Sequence, residues 1–164
     1  MSTETTFRIS EQDYVGAAKL FGRITPKAAA IYGAAVLTLG LAAIFGPGLV
    51  KGGAIGALIG GGIVAILGRF IINPFLARRH YWKYKAIHEP INIRLKEEGI
   101  ELTTPDVGGL VRWETIFKWR EDETFLLIYP MPRMYHIIPK SIGKSGFDVP
   151  DLIRTLQEKV GGAT

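Results

Sequence analysis

His80, His88 and His136 are the residues of this chain best suited to hold a metal or to move a proton. A metal site on one helix needs histidines a turn apart, as in HxxxH or HExxH, and no two of the three stand in that relation. Ser141 and Ser145 lie in the segment SIGKSG, which is not a nucleophile elbow, and Gly143 and Lys144 in the same segment lack the spacing of a phosphate-binding loop. Carboxylates occur together at Glu97-Glu98 and at Glu121-Asp122-Glu123, but both runs separate apolar stretches, where turn acids face water. The chain has no cysteine, so it has no thiolate nucleophile, disulfide or cysteine-bound zinc. These patterns predict no catalytic residue, no metal and no cofactor; an enzyme would need a polar pocket that nothing in the sequence marks.

The elements that would carry such residues are arranged around an apolar middle. Residues 28–45, AAAIYGAAVLTLGLAAIF, contain no charge, and as a helix they would reach about 27 Å, close to the ~30 Å hydrocarbon core of a bilayer. A second uncharged run begins at Gly52 and lasts to Arg69. Gly46-Pro47-Gly48 breaks the first helix, and the short loop GPGLVK forces the two spans, about 28–45 and 52–72, into an antiparallel hairpin. Arg23 and Lys27 precede the hairpin and Arg78, Arg79, Lys83 and Lys85 follow it, whereas its turn holds only Lys51. The positive-inside rule then puts both termini in the cytoplasm. Arg69 is read as snorkelling to the headgroups, with Asn73-Pro74 kinking or ending the helix just beyond, because the spans offer no acid or histidine for an ion relay. The competing reading is a helical hairpin buried in a soluble core. The N-terminus, MSTETTFRIS, has neither a basic region nor an apolar core and is not read as a signal peptide.

Within the second span, Gly52, Gly56 and Gly60 form a row of small residues four apart, with Gly53, Ala57 and Gly61 beside it, as in a glycine zipper. Small residues let helices approach closely in lipid. The row is expected to pack on Ala30, Ala34 and Ala35 of the first span or to join copies of the chain. A pore made from it would have a dry, unpolar lumen.

Outside the hairpin, FRIS alternates like a strand and Ser10 is placed to cap a short helix carrying Tyr14, Ala17, Ala18 and Phe21 on one face, which is expected to lie on the membrane surface or pack on the remaining domain. The segment after the second span mixes Arg78, Arg79, Lys83 and Lys85 with Tyr81, Trp82 and Tyr84, a composition suited to the lipid headgroup level. INIRLK, GIELTT, GLVRWETI, TFLLIY and MYHIIP read as five strands separated by turns, among them Arg120-Glu121-Asp122-Glu123. Asp148 caps a final helix striped with Leu152, Ile153, Leu156 and Val160. Trp113, Ile116, Ile138, Leu152 and Leu156 are the expected core, and Trp119, between Lys118 and Arg120, is read either as a surface residue that meets lipid or a partner or as a half-buried structural residue. The expected fold class is an α+β membrane protein: a two-helix hairpin plus a small antiparallel sheet or barrel closed by a C-terminal helix. Its parts are an N-terminal strand and helix (1–27), the hairpin (28–77), a basic and aromatic boundary (78–88) and a cytoplasmic domain (89–164).

The order of these parts, with GIEL, the run Arg112 to Lys118, LLIY, and Ile137-Ile138-Pro139-Lys140 followed by Phe147 and the last helix, resembles the YcxB-like family of small bacterial membrane proteins over nearly the whole chain. The resemblance implies a bacterial inner-membrane hairpin bearing a cytoplasmic pleckstrin-homology-like domain of no established activity. The net charge of +5 collects at the membrane edge and not on one domain face, which argues against nucleic acid as partner. The expected function is therefore a non-catalytic interaction module that binds anionic lipid headgroups or an unidentified protein, an immunity-type role being one form. The rival is a glycine-zipper homo-oligomer acting as a channel or transporter subunit.

Overall fold

The computed structural model describes residues 3–163; Met1 and Ser2 at the head of the N-terminal segment and Thr164 at the foot of the C-terminal domain lie outside the described residues. The chain divides into two compact units, Gly22–Leu76 on one side and Met1–Phe21 with Ala77–Thr164 on the other.

The first unit is the apolar hairpin. Pro26 starts a helix, α2 (Pro26–Phe45), where its missing N–H costs nothing, and the Thr25 hydroxyl accepts the Ala28 N–H at 3.3 Å. The preceding segment forms α1 (Glu11–Phe21), which belongs to the second unit. Only Gly46 and Pro47 separate α2 from α3 (Gly48–Leu67), so the second helix begins at Gly48 and takes in Lys51, which the sequence reading assigned to the turn. Pro47 fits the position before a helix, and the loop closes after two residues instead of six.

Nor does the helix end near residue 72. A π turn over Gly68–Ile72 leads into α4 (Asn73–Lys83), giving one continuous helical stretch, Gly48–Lys83, of 36 residues. The Asn73 N–H reaches back five residues to the Gly68 carbonyl. Pro74 has no N–H to give and its ring would strike the carbonyl four residues earlier; the wider turn accommodates it without a break. Pro26–Phe45 and Gly48–Lys83 have mean hydropathies of 2.1 and 2.2, and their apolar windows are not buried within the protein. The core helix of a soluble domain would be covered. Leu37, Ile31, Val64 and Phe70 instead face outward, as on helices long and apolar enough to cross a membrane.

Among the described residues the second unit holds seven strands in two antiparallel sheets. The first has the order β1 (Glu4–Phe7), β2 (Ile91–Lys96), β3 (Gly99–Thr103) and β4 (Gly108–Arg112); the second has β5 (Lys118–Glu121), β6 (Phe125–Met131) and β7 (Met134–Pro139). β1 pairs with β2 in the register Thr5↔Ile93, three residues ahead of the FRIS expectation, and Arg94 joins Glu4 of β1 at 2.7 Å to Glu101 of β3 at 3.6 Å. The run read as a single strand over 109–116 breaks at a 3-10 turn, Trp113–Thr115, which carries the chain from one sheet to the other. Beyond it, Lys118–Glu121 is a strand, and only Asp122 onward makes the acidic turn.

β6 explains its own composition. Leu126 and Ile128 enter one core cluster, with Ile93, Ile100, Trp119 and the C-terminal helix α5 (Val149–Lys159), while Phe125, Leu127 and Tyr129 enter a second cluster beneath α1. A strand covered on both faces reads as an unbroken apolar run. α1 thus packs on the sheet through Ala17 and Leu20, taking the second of its two expected placements. Ser10 and Asp13 cap it reciprocally, each backbone N–H bonded to the other's side chain at 3.0–3.1 Å. At its other end Arg120, nearly buried, donates to the Leu20 and Phe21 carbonyls at 3.4 and 3.0 Å, satisfying groups a helix end leaves open.

Candidate functional site

The basic and aromatic segment falls on α4 and a short 3-10 turn, Lys85–His88, and the helical period sorts its residues. Tyr81 turns inward: its hydroxyl donates to the Ile9 carbonyl at 3.1 Å, and its own carbonyl accepts from His88 Nε2 at 3.0 Å. Glu11 at the start of α1 collects two more, the Arg78 guanidinium at 3.3 Å and the Trp82 indole N–H at 3.1 Å. Arg79, Lys83 and Lys85 are exposed and form no ion pair among the described residues; Lys83 lies 5.7 Å over the exposed Tyr84 ring. The seven residues grouped by the sequence are thus two sets, one holding α4 to α1 and one facing out.

Within the hairpin, a methyl group built on Gly52, Gly53, Gly56, Gly60 or Gly61 would meet nothing within 4 Å. The two rows with Ala57 therefore do not pack on the first span, contrary to that expectation; Ala54, on another side of α3, is the buried small residue. Two residues of turn fix the helices close at one end, and Ala54 lies in the turns of α3 nearest it.

Trp113, Ile116, Ile138, Leu152 and Leu156 all lie in the larger core cluster. Trp119 does too: it is 0% exposed and its indole N–H donates to the Gly161 carbonyl at 2.7 Å, so it is not a surface residue. Alternation counted from Trp113 fails because the 3-10 turn between the two tryptophans resets which way side chains point.

The chemistry-bearing residues stay apart. His80 is exposed beside Tyr84, His88 is held by Tyr81, and His136 lies on β7, where burial lowers its pKa. Among the described residues no group of three histidine or acidic side chains could hold a metal. Asp122 accepts from the Thr124 and Phe125 N–H groups at 2.8 Å, and Glu121 pairs with Lys140 at 2.8 Å, so these acids hold turns together.

Sequence reasoning missed a cavity of about 450 Å³ in the sheet unit. It lies between the edge strands β4 and β7, beside the residues that follow β1, and its exposed lining is mainly apolar. Its hydroxyl-bearing lining residues are Tyr14, Thr104 and Tyr135; burial raises the Tyr14 phenol and pushes Tyr135 up to about 12. In sequence Tyr14 reads as one face of a short helix and Thr104 and Tyr135 as members of strands, and only the separation of the two sheets makes a space between them.

A mixed helical and antiparallel-sheet protein with two helices able to cross a membrane is the class these features define. Within it, residues 95–156, from the end of β2 into α5, are similar to the family whose model is described as YcxB-like protein. The hairpin, β1 and α1 lie outside the matched segment. No curated protein and no solved structure matches the chain.

Proposed function

We propose that this is a non-catalytic protein of the bacterial inner membrane, anchored by its hairpin with both termini in the cytoplasm, whose sheet unit is a pleckstrin-homology-like module that engages anionic lipid headgroups. Sheets of four and three antiparallel strands followed by an amphipathic helix support the pleckstrin-homology-like reading. The orientation rests on the cations that flank the hairpin. The observation that carries the lipid assignment is the outward set Arg79, Lys83 and Lys85, without an ion-pair partner among the described residues and placed in the last turns of the second candidate helix and just beyond it. Near an anionic surface each such cation is worth roughly 1 kcal/mol. A protein partner, in an immunity-type role or another, is what remains if lipid binding fails.

A test on residues 78–164 alone would remove β1 and α1 and with them three of the seven buried residues of one core cluster, Ile9, Ala17 and Leu20. The suitable protein keeps residues 1–21 and 77–164 and replaces 22–76 by a flexible linker. Once shown to be folded by circular dichroism, it should bind phosphatidylglycerol vesicles at low salt. Changing Arg79, Lys83 and Lys85 to Gln should weaken binding by about tenfold or more, whereas Arg78→Gln, already paired with Glu11, should have a smaller effect. A folded protein that ignores such vesicles sinks the lipid version.

The second reading, a homo-oligomer joined through the glycine face and acting as a channel or transporter subunit, is favoured by the open space over Gly52, Gly56 and Gly60.

A further inference from the structure

The cavity between β4 and β7 has a lining without a single Asp, Glu, Lys or Arg. Its volume of about 450 Å³ falls in the range of about 300–1,000 Å³ typical of small-molecule sites, and the surface it offers is mainly apolar. An ionised group inside would lose its hydration without a counter-charge, so the occupant's buried part is uncharged. A peptide strand would need backbone partners along its length, and a predominantly apolar lining offers few.

The polar lining side chains are few: Tyr14, Tyr135, Thr104 and His136, whose imidazole is held toward its neutral form by burial. The Tyr14 and Tyr135 side chains have ring contacts but no hydrogen bond among the described residues, which leaves two lining phenols with their donors unused inside the protein. Thr104 is already engaged with both the N–H and the carbonyl of Val107. Immediately before Ala86 and Ile87 of the lining comes Lys85, exposed and with no acidic partner among the described residues. An apolar chamber, two phenolic donors and one free cation next to it in the chain complement a molecule with a long hydrocarbon tail and an anionic oxygen head.

We propose that this cavity binds the alkyl chain of a long-chain fatty acid, with the carboxylate held by the Tyr14 and Tyr135 hydroxyls and neutralised by Lys85. The site shares Lys85 with the headgroup set and uses neither Arg79 nor Lys83, and its apolar chamber stands whether or not the sheet unit attracts an anionic surface. Its function is to let the membrane protein sense or carry free fatty acid.

The test uses the full chain in phosphatidylcholine nanodiscs with palmitate bearing a photoactivatable diazirine on its chain, followed by peptide mapping. Any bilayer-borne probe will mark residues 28–72, which serves as the internal reference. The expected result is additional label within 102–111 and 135–137, competed away by unlabelled palmitate. Gly109 stands opposite Leu102 in the β3–β4 register, on the cavity side, with open space where a side chain would go. Gly109→Trp should therefore cut the cavity label by about tenfold and leave the reference unchanged. Ala86→Trp, at an exposed lining position, provides an independent block should the first variant misfold, and Lys85→Gln should raise the concentration of palmitate needed to compete. Label confined to the hairpin overturns the proposal, as does cavity label that both tryptophan variants leave intact. Cavity label from diazirine-bearing phosphatidylcholine with none from palmitate also overturns it, in favour of a chain drawn from the bilayer.

Discussion

Gly99 faces Arg112 across the β3–β4 pair, and a methyl group on it would run into the Val111 carbonyl, a rigid backbone atom. Gly109 on the partner strand has free space. Gly99→Ala should therefore destabilise the sheet unit by about 1–3 kcal/mol, whereas Gly109→Ala should stay within about 0.5 kcal/mol, as measured by urea unfolding; equal midpoints would refute the close approach at Gly99. Tyr135 makes a second prediction. Burial raises its phenol from 10.0 to about 12, so between these pH values the unfolded chain has released a proton that the folded chain retains. Its contribution is complete below about pH 10 and is lost as pH climbs toward 12, with Tyr129 and Tyr14, also raised by burial, acting in the same direction. Tyr135→Phe should flatten this alkaline loss, and an unchanged slope of urea midpoint against pH would contradict the assignment. At this scale the sequence was readable where a residue's type sufficed, as for Trp113 or Leu156 in the core. It misled for Trp119, because a period of two carries over only within one strand, and flanking Lys118 and Arg120 looked like a wet surface although Arg120 is itself enclosed at the end of α1.

The helices of the hairpin were legible because nothing but membrane or core tolerates so long an absence of charge. Their ends were less so. Lys51 and the glycines around it suggested a loop, yet a turn of two residues suffices, and Pro74 suggested a stop where a π turn absorbs the missing hydrogen bond. Strand boundaries failed at Trp113 for a similar reason: a single 3-10 turn within an apolar run leaves no Gly or Pro to mark it. The glycine rows could not be assigned a partner from sequence, since α2 and a second copy offer the same small side chains. Their open face predicts an oligomer in nanodiscs whose mass falls to that of the monomer on Gly56→Leu, because a branched side chain there would hold facing helices apart. A wild-type monomer by light scattering would dismiss that reading.

The sheet unit is assembled from two distant stretches of chain, with β1 and α1 arriving from before the hairpin and everything else from after it. Removing residues 1–21 strips β2 of its edge partner and uncovers Phe125, Leu127 and Tyr129 together. The shortened chain should lose cooperative unfolding and aggregate; a sharp, reversible transition in its circular dichroism would show that the segment is dispensable. The same interrupted arrangement sets an order of events during synthesis. Glu4 waits for Arg94, 90 residues downstream, on the order of 5–20 s at ribosomal elongation rates, while each contact of the hairpin is between near neighbours and is available at once. Both apolar helices have therefore left the ribosome before the sheet can close, and a nascent chain that stalls inside the hairpin displays an unpaired N-terminal strand to the cell's quality control.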